Sequence, residues 1–449
     1  MTGNDGDTIV ARATPPGRGG VAVVRVSGPR VGALATAIIG SLPVPRRATF
    51  TRFRGADGQV LDEGLALYFP QPGSFTGEDV LELHGHGGDV VVARLIQRLQ
   101  ALGARAAQPG EFSRRAFING RMDLSQAEAI ADLIDARSEA AARAAMRSLA
   151  GEFGRVVHAL VEATTELRVH VESAIDFPDE AIDIASDSAV RDGLARLDTE
   201  LESTLASAHR GRALRDGMQV VIIGDPNVGK STLLNRLAGE DSAIVTEIPG
   251  TTRDTLREDL IIDGMPLQVV DTAGLRDSDD AIEQEGVRRA WQAVGHCDRV
   301  LLVTEAATAP SAAEARILAE LPDGLDATVI RNKIDLSDHA AGLIPATEPP
   351  CIGVSATTGE GLDGLREHLR SLMGLADAGG DYSARQRHVD ALRRAGEHLA
   401  TAQRQADAGA AELMAEELAH LQTALGEITG EVSSDDLLGR IFSTFCIGK

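Results

Sequence analysis

The sequence contains few aromatic residues and few cysteines. Phe, Trp and Tyr together make up 3% of the 449 residues, so alanine and leucine supply much of the apolar content, which favours helices. The three cysteines, Cys297, Cys351 and Cys446, are scattered, odd in number and without the spacing of metal ligands. This pattern argues against a disulfide framework or a zinc site and indicates reduced thiols in the cytoplasm.

The sequence also lacks a targeting signal, a membrane span and an excess of positive charge. Its start, MTGNDGDTIV, has no basic segment followed by an apolar run, and no apolar stretch approaches the roughly 20 residues of a spanning helix. We therefore expect a soluble, cytoplasmic protein that does not bind a membrane. The formal net charge of -23 repels phosphate over the surface as a whole, so an RNA contact requires a local basic patch or a partner that supplies one.

Length and patterning predict several domains. At 449 residues, a prior of about 150 residues per domain gives two to four domains. The first part of the chain contains β-rich runs closed by glycine and proline, such as GGVAVVRVSGP. Helical patterning begins near Asp123, which forms a capping-box pattern with Gln126, and continues until Pro178 breaks it. A second helical block runs from about Ser383 to Gly430. Its apolar stripe consists of Met414, Leu418, Leu421 and Leu425.

Between the two helical blocks, apolar strands alternate with helices. The strand segments are MQVVIIG, LQVVDTAG, DRVLLVTEA, ATVIRNKID and CIGVSA. This alternation predicts a parallel sheet covered by helices. We therefore expect an α/β domain, about Gly217 to Leu375, inserted into a helical domain. The predicted fold class is multidomain, α+β and α/β.

The strongest chemical signal is GDPNVGKST, in which Gly224–Ser231 fits the pattern G-x-x-x-x-G-K-[ST] between a strand and a helix. The glycines let the backbone curl so that successive N–H groups face phosphate oxygens, and the helix N-terminus adds a favourable dipole. Lys230 can reach the outer phosphates, and Ser231 offers a hydroxyl to Mg²⁺. A plain glycine turn would explain the glycines but not the lysine–serine pair, so we expect nucleotide binding.

Three further motifs follow strands of the same segment: DTAG (Asp271–Gly274), NKID (Asn332–Asp335) and SAT (Ser355–Thr357). Asp271 can hold Mg²⁺ through water, and the last glycine of DTAG can present its N–H to the γ-phosphate, although such residues also form ordinary turns. Asp335 can accept from the N1–H and 2-amino groups of guanine. Adenine lacks these donors, and leaving a buried acceptor unpaired costs about 1–3 kcal/mol, which selects GTP over ATP.

On these motifs the α/β segment resembles a Ras-like GTPase domain. GTTRD (Gly250–Asp254) occupies the first switch, where Thr252 is expected to meet Mg²⁺ and the γ-phosphate. Ras-type enzymes carry a water-positioning glutamine after DTAG, whereas this sequence has Leu275, so another group must place the water. The GTP-binding residues implied by the resemblance are Gly224, Asn227, Val228, Gly229, Lys230, Ser231, Thr232, Thr246, Glu247, Ile248, Pro249, Gly250, Thr251, Thr252, Asp271, Thr272, Ala273, Gly274, Asn332, Lys333, Asp335, Ser355, Ala356 and Thr357.

The whole chain, from TIVARATPPGRGG to FCIGK, resembles the MnmE or TrmE family of tRNA modification GTPases. In this family GTP hydrolysis depends on K⁺ and on dimerisation of two G domains, with K⁺ in the place of an arginine finger. The resemblance implies Lys230 and Glu283 as catalytic residues of hydrolysis, Glu283 ordering the water, although an isolated glutamate there is typical of a solvated helix face. The implied metal ligands are Asn227, Thr246, Ile248 and Thr251 for K⁺, and Ser231 and Thr252 for Mg²⁺.

The resemblance also implies a folate site in the first domain. Strand alternation places Arg25 on one face with valines, and Glu82 on one face with Val80 and His84. A charge within an apolar strand usually lies at a sheet edge or in a salt bridge. In the family, this domain binds a one-carbon tetrahydrofolate, here 5-formyltetrahydrofolate or a related folate. The implied folate contacts are Arg25, Glu82, Arg121, where related sequences often have lysine, and Lys449.

The final segment, FCIGK, has a cysteine fourth from the end, as a lipidation signal does. The glycine in third position, the terminal Lys449 and the acidic residues upstream disfavour that interpretation. The resemblance implies a tail that folds toward the folate site, with Cys446 acting in the modification chemistry as a nucleophile or acid/base group. The alternative for Cys446 is a small buried thiol at a helix end.

The resemblance divides the chain into residues 1–120 (tetrahydrofolate binding and dimerisation), 121–216 (first helical part), 217–375 (GTPase domain) and 376–449 (second helical part with CIGK). It implies a homodimer that acts with a flavin-containing partner of the MnmG or GidA type. Together they would add a carboxymethylaminomethyl or aminomethyl group to C5 of the wobble uridine of certain tRNAs. The partner would make most of the contacts to the tRNA. The alternative is a regulatory GTPase of ribosome assembly, of the Era or Der type, but such regulators lack the first domain and FCIGK.

Overall fold

The structure is a computed structural model, and its description covers part of the chain. The described residues are 6–176, 186–225, 227–238, 257–262, 265–271, 291, 294, 297–306, 312–322, 325–345, 347–372, 382–432 and 435–448. The contacts divide the chain into two compact units. The first consists of Met1–Ala131, Leu149–Val190 and His398–Lys449, and the second of Asp132–Ser148 and Arg191–Glu397. The four functional segments stated above stay a prediction.

The first unit begins with a six-stranded sheet and three helices. Its strands are β1 (Ile9–Arg12), β2 (Gly19–Ser27), β3 (Thr49–Arg54), β4 (Val60–Phe69), β5 (Val80–Gly87) and β6 (Arg105–Ala106). Its helices are α1 (Val31–Ile39), α2 (Asp89–Ala101) and α3 (Glu111–Ile118). The spatial order of the strands is β3-β4-β5-β2-β1-β6, so β2 and β5 are internal neighbours, paired antiparallel.

Alternation along the internal strands builds the core of this sheet. In β2, Val24 and Val26 are buried, and in β5, Leu81 and Leu83 are buried; they pack in one cluster with residues of α1 and α2. Because successive side chains of a strand point to opposite faces, the residues between them lie on the other face. Arg25 and Glu82 are two of those intervening residues, and they are direct partners in the β2–β5 register.

The predicted long helical segment is present as three helices and is followed by a fourth. These are α4 (Leu124–Asp135), α5 (Glu139–Leu149), α6 (Glu152–Asp176) and α7 (Ser188–Asp216). The capping box is confirmed: the backbone N–H of Gln126 donates to Asp123 Oδ1 at 2.8 Å, and the backbone N–H of Asp123 donates to Gln126 Oε1 at 3.0 Å. Helix α6 is described as far as Asp176, and Pro178 lies outside the described residues, so the break expected there stays a prediction.

The predicted α/β segment contains a seven-stranded sheet. Its strands are β7 (Met218–Ile223), β8 (Arg257–Ile262), β9 (Met265–Asp271), β10 (Arg299–Glu305), β11 (Ala327–Asn332), β12 (Gly342–Ile344) and β13 (Cys351–Gly353). The order is β12-β13-β11-β10-β7-β9-β8. The five central strands are parallel, as predicted, whereas β8 and β12 pair antiparallel at the two edges.

Helices cover both faces of this mostly parallel sheet. They are α8 (Lys230–Ala238), α9 (Ala312–Ala319) and α10 (Leu362–Leu372). Val220 packs on one face with Leu233 of α8 and Leu365 of α10, while Val221 lies on the other face with Ile317 of α9. Burial on both faces explains the nearly continuous apolar runs of the central strands. The predicted fold class is confirmed.

The chain then returns to helices: α11 (Gln386–Asp407), α12 (Ala411–Thr429) and α13 (Asp435–Ser443). The stripe predicted in α12 is confirmed, because Met414, Leu418, Leu421 and Leu425 are all buried. Helix α12 lies along α6, where Gln422 accepts a hydrogen bond from Arg168 and donates one to Thr165. None of the helices that the structure describes combines the length and apolar character that crossing a bilayer requires.

Candidate functional site

The phosphate loop has the strand–loop–helix geometry that its sequence predicts. Strand β7 ends at Ile223, and α8 begins at Lys230. Asn227 has a φ of 65°, and Gly229 has a φ of 94°. At Gly229 the backbone also approaches Asn332 so closely that a Cβ atom would lie 2.4 Å from Asn332 Nδ2. Only glycine satisfies both conditions, which gives this loop position a physical reason beyond the motif.

Lys230 lies across the loop rather than in solvent. It is 9% exposed, and its Nζ donates to Gly224 O at 2.7 Å and to Asp225 O at 3.0 Å. The loop therefore holds a positive charge on its own carbonyl groups, at the N-terminus of a helix. Ser231 and Thr232, the next two residues, are exposed. Their hydroxyls can reach a ligand without displacing protein atoms.

Asn332 joins three of the predicted motifs. It is 1% exposed; its Nδ2 donates to Val228 O at 2.8 Å, and its Oδ1 accepts from the Ala356 amide at 3.0 Å. This side chain therefore braces the phosphate loop and the SAT segment against the end of β11. No sequence pattern indicates this role, because it depends on how closely three loops approach one another.

The rest of the NKID and SAT motifs lies beside this brace. Asp335 is exposed in a 3₁₀ turn formed by Ile334–Leu336, as a carboxylate that reads a base must be. Lys333 has a φ of 63° and donates a hydrogen bond to Glu305 at the end of β10. In the SAT segment Ser355 is fully buried and its Oγ accepts from the Thr358 amide at 3.1 Å.

Several predicted site residues lie outside the described residues. Asp271 ends β9 at the expected place, and only its backbone is described. The predicted residues without a described structure are Thr246, Glu247, Ile248, Pro249, Gly250, Thr251, Thr252, Thr272, Ala273, Gly274, Glu283 and Lys449. Their assigned roles therefore stay predictions.

Arg25 and Glu82 face each other across the middle of the first sheet. They are direct partners in the β2–β5 register, and Arg25 Nε and Nη2 each lie 2.9 Å from Glu82 Oε1. The sheet-edge alternative is wrong for both residues, because their strands are internal. The salt-bridge alternative describes what the structure contains.

Aromatic rings and a histidine surround this ion pair. The Arg25 guanidinium lies 5.2 Å from the centre of the Phe75 ring and 5.7 Å from that of Phe112. His84 Nε2 lies 3.1 Å from Glu82 Oε2. Charged groups flanked by aromatic faces can bind a planar polar ligand. Sequence analysis did not assign Phe75 or Phe112 to the site, since they come from a loop and a helix distant in sequence.

The C-terminal tail lies against the same part of the first unit. Ile447 forms an antiparallel bridge with Pro109, and the Gly110 amide donates to Cys446 O at 3.4 Å. Arg25 Nη1 lies 3.5 Å from Gly448 O, at the limit of a hydrogen bond. The buried-thiol alternative for Cys446 is wrong, because the residue is exposed. The thiol is therefore exposed, two residues before the carbonyl group that lies near Arg25.

Arg121 is exposed. In the described part of the chain no ion pair joins it to Glu82, which pairs with Arg25 and His84. Its predicted contact with folate stays a prediction.

Two protein-family profiles match the chain. One, described as the MnmE helical domain, covers residues 124–446, and the other, the GTP-binding protein TrmE N-terminus, covers residues 8–121. The "tRNA modification GTPase MnmE" of Alkalilimnicola ehrlichii is 60% identical over 443 residues, which are 98% of this chain and 99% of the relative. The chain belongs to the MnmE family of tRNA modification GTPases. The relative of the same name from Stutzerimonas stutzeri is 57% identical over 450 residues, 99% of each chain.

The family membership confirms the resemblance stated from the sequence. As a member of the MnmE family, the chain is a GTPase that hydrolyses GTP in tRNA modification. The ribosome-assembly alternative is set aside, because the full-length relatives are tRNA modification GTPases. Among solved structures, the G domain of the T. maritima FeoB iron transporter is 25% identical over 34% of this chain and 98% of its own, and its TM-score of 0.27 is too low to support any argument.

Proposed function

We propose that this MnmE-family chain couples K⁺-dependent GTP hydrolysis to one-carbon chemistry at the wobble uridine of certain tRNAs. It acts as a homodimer with a flavin-containing partner of the MnmG type, and 5-formyltetrahydrofolate or a related folate supplies the carbon. The product carries an aminomethyl or carboxymethylaminomethyl group at C5. The net charge of -23 supports a complex in which the partner supplies most of the contacts to tRNA, because an acidic surface repels phosphate.

The phosphate loop fits the metal ions that the proposal requires. Ser231 is exposed at the first turn of α8, where its hydroxyl can bind Mg²⁺. Asn227 is exposed in a left-handed conformation, and its amide supplies an oxygen of the type that hard cations bind. Bound K⁺ would offset negative charge that develops as the terminal phosphoryl group leaves. Lys230 would move from the Gly224 and Asp225 carbonyls to the outer phosphates.

The first sheet fits a folate. Glu82 is a carboxylate held by Arg25 and His84 in the middle of the sheet, and a carboxylate has the two acceptor oxygens that suit the paired donors of a pterin ring. Phe75 and Phe112 provide apolar faces next to it. A bound folate would supply the carbon, with Arg25 holding Glu82 in place for the pterin ring and Lys449 holding a folate carboxylate.

The observation that carries the folate proposal is the docking of the CIGK tail beside Arg25. A terminal segment with one mostly exposed apolar residue, Ile447, gains little from burial, so its placement is not explained by packing alone. It brings Gly448, two residues after the exposed Cys446, to Arg25 of the Arg25–Glu82 ion pair in the middle of the sheet. This geometry suits a reaction on a one-carbon unit held at Glu82.

Calorimetric titration of the full-length protein with 5-formyltetrahydrofolate tests the folate site. We expect Glu82→Gln to weaken binding by about tenfold or more, because a charged hydrogen-bond acceptor is lost. Glu63→Gln is the matched control: Glu63 lies on the neighbouring strand, half exposed, and pairs with Arg52. No folate binding by the wild type, or equal binding by both variants, would refute the site.

GTP hydrolysis measured in K⁺ and in Na⁺ tests the ion. We expect Na⁺ to depress the rate steeply and Asn227→Ala to remove the difference between the two salts. Equal wild-type rates at the same ionic strength would contradict the K⁺ assignment. Light scattering during turnover would show whether two G domains associate in K⁺ only.

A further inference from the structure

We propose that Glu305 is a positioning residue for guanine-nucleotide binding, acting through Lys333. The inference rests on the GTP-binding role that the family resemblance implies for Lys333, and goes beyond it by naming the group that positions this side chain. The observation is an ion pair in which Lys333 Nζ donates to the Glu305 carboxylate. Glu305 lies in none of the nucleotide motifs, so the sequence patterns do not identify it.

The backbones of both partners are fixed. Glu305 is the last residue of β10 and faces Asn332 in the parallel register with β11, and the Ala306 amide donates to Asn332 O at 2.8 Å. Asn332 is in turn held by Val228 and Ala356. The ends of the two strands therefore form one rigid platform that includes the phosphate loop and the SAT segment.

Lys333 leaves this platform in a defined direction. Its φ of 63° turns the chain so that Ile334 becomes buried and Asp335 exposed. The Leu336 amide donates to Lys333 O at 3.0 Å, which closes the turn. With its Cα fixed by the turn and its Nζ held by Glu305, the lysine stem is anchored at both ends, directly before the carboxylate proposed to read guanine.

Stability does not explain the pair. The side chains of Lys333 and Glu305 are 33% and 39% exposed, and ion pairs at such sites contribute little to folding because solvent screens them and the lysine loses rotamer freedom. Ordering a lysine before its ligand arrives does help binding, because the entropic cost is already met. We therefore expect the pair to act on nucleotide affinity rather than on folding, with an effect of about three- to tenfold.

A double-mutant cycle on the full-length protein tests the inference, with fluorescent GDP as the probe. The variants are Glu305→Gln, Lys333→Ala and the double variant; Glu320→Gln, which breaks an exposed pair with Arg316 in α9, is the control. We expect Glu305→Gln to weaken GDP binding about three- to tenfold and the double variant to be no weaker than Lys333→Ala. Glu320→Gln should bind as the wild type does. Melting temperatures without nucleotide should be equal.

Three results would overturn the inference, and they are distinguishable. If Lys333→Ala weakens binding and Glu305→Gln does not, or if the two effects add, Glu305 does not act through Lys333. If Lys333→Ala leaves the affinity unchanged, the role assigned to Lys333 fails together with the inference. A second readout is the GDP-to-IDP affinity ratio, which Glu305→Gln should leave unchanged, since the 2-amino group that distinguishes the two bases is assigned to Asp335.

Discussion

Gly448→Ala should separate the tail from the first sheet and so weaken folate binding without impairing GTP hydrolysis. Gly448 has a φ of 99°, and a Cβ atom there would lie 2.1 Å from Arg12 O and 3.0 Å from Ala13 Cα. Both close neighbours are backbone atoms, which cannot rotate out of the way. The docked tail therefore has no conformation that accepts a methyl group at this position.

The size of the effect follows from the backbone. A non-glycine residue in a sparsely populated conformation costs about 1–3 kcal/mol, which shifts the equilibrium between docked and undocked tail by roughly 5- to 150-fold before the clash is counted. If folate requires the docked tail, its apparent affinity falls with the docked fraction. We expect a loss of about tenfold or more in calorimetric titration with 5-formyltetrahydrofolate, and hydrolysis rates within about twofold of the wild type.

Gly439→Ala is the matched control. Gly439 lies within α13, and a Cβ atom there would meet nothing within 4 Å. Alanine in a helix interior stabilises by about 0.5–1 kcal/mol, so this variant should bind folate at least as well as the wild type. Equal folate affinities for Gly448→Ala and Gly439→Ala would refute the reasoning. A tail that becomes sensitive to limited proteolysis only in Gly448→Ala would support it.

Two further predictions concern buried charge. Burial raises the pKa of the Glu111 carboxyl, but hydrogen bonds from Arg105, the Gln108 amide and Arg115 outweigh it and hold the pKa below its usual range. Its stabilising effect is therefore present at neutral pH and lost as pH falls below about 4.5. In urea unfolding, Glu111→Gln should therefore reduce the fall in unfolding free energy at acid pH. An unchanged fall would contradict the role assigned to Glu111. The Asp132 carboxylate accepts hydrogen bonds from Arg215, Ser383 and Arg385, each at 2.7 Å. Asp132→Asn should therefore lower the free energy of unfolding by about 3–5 kcal/mol. Asp135→Asn, at an exposed position in the same helix, is the control and should lower it hardly at all.

Local patterns predicted the elements of the nucleotide site well. The strand before Gly224, the helix from Lys230 and the parallel order of the central strands all follow from apolar runs and loop chemistry. The edge strands β8 and β12 were not foreseen, since short edge strands carry weaker apolar patterns. The single helical block expected over residues 383–430 is two helices, separated at Ala408–Ala410.

Contacts between distant segments could not be predicted. Arg25 and Glu82 are 57 residues apart, and their pairing depends on a strand register that alternation does not specify. The brace formed by Asn332 depends on close approach of three loops. The exposure of Cys446 follows from where the tail lies on the first unit. In each case the residue type and local pattern were evident, while the partner was set by tertiary packing.

The central claim is that one chain carries two separable chemistries, GTP hydrolysis in the parallel-sheet domain and one-carbon transfer at the first sheet beside the tail. Mass spectrometry of tRNA nucleosides from cells that carry Cys446→Ser, with a GTPase assay on the same purified protein, tests it directly. The account predicts loss of the wobble-uridine modification with hydrolysis intact. Normal modification, or loss of both activities in a folded protein, would contradict it.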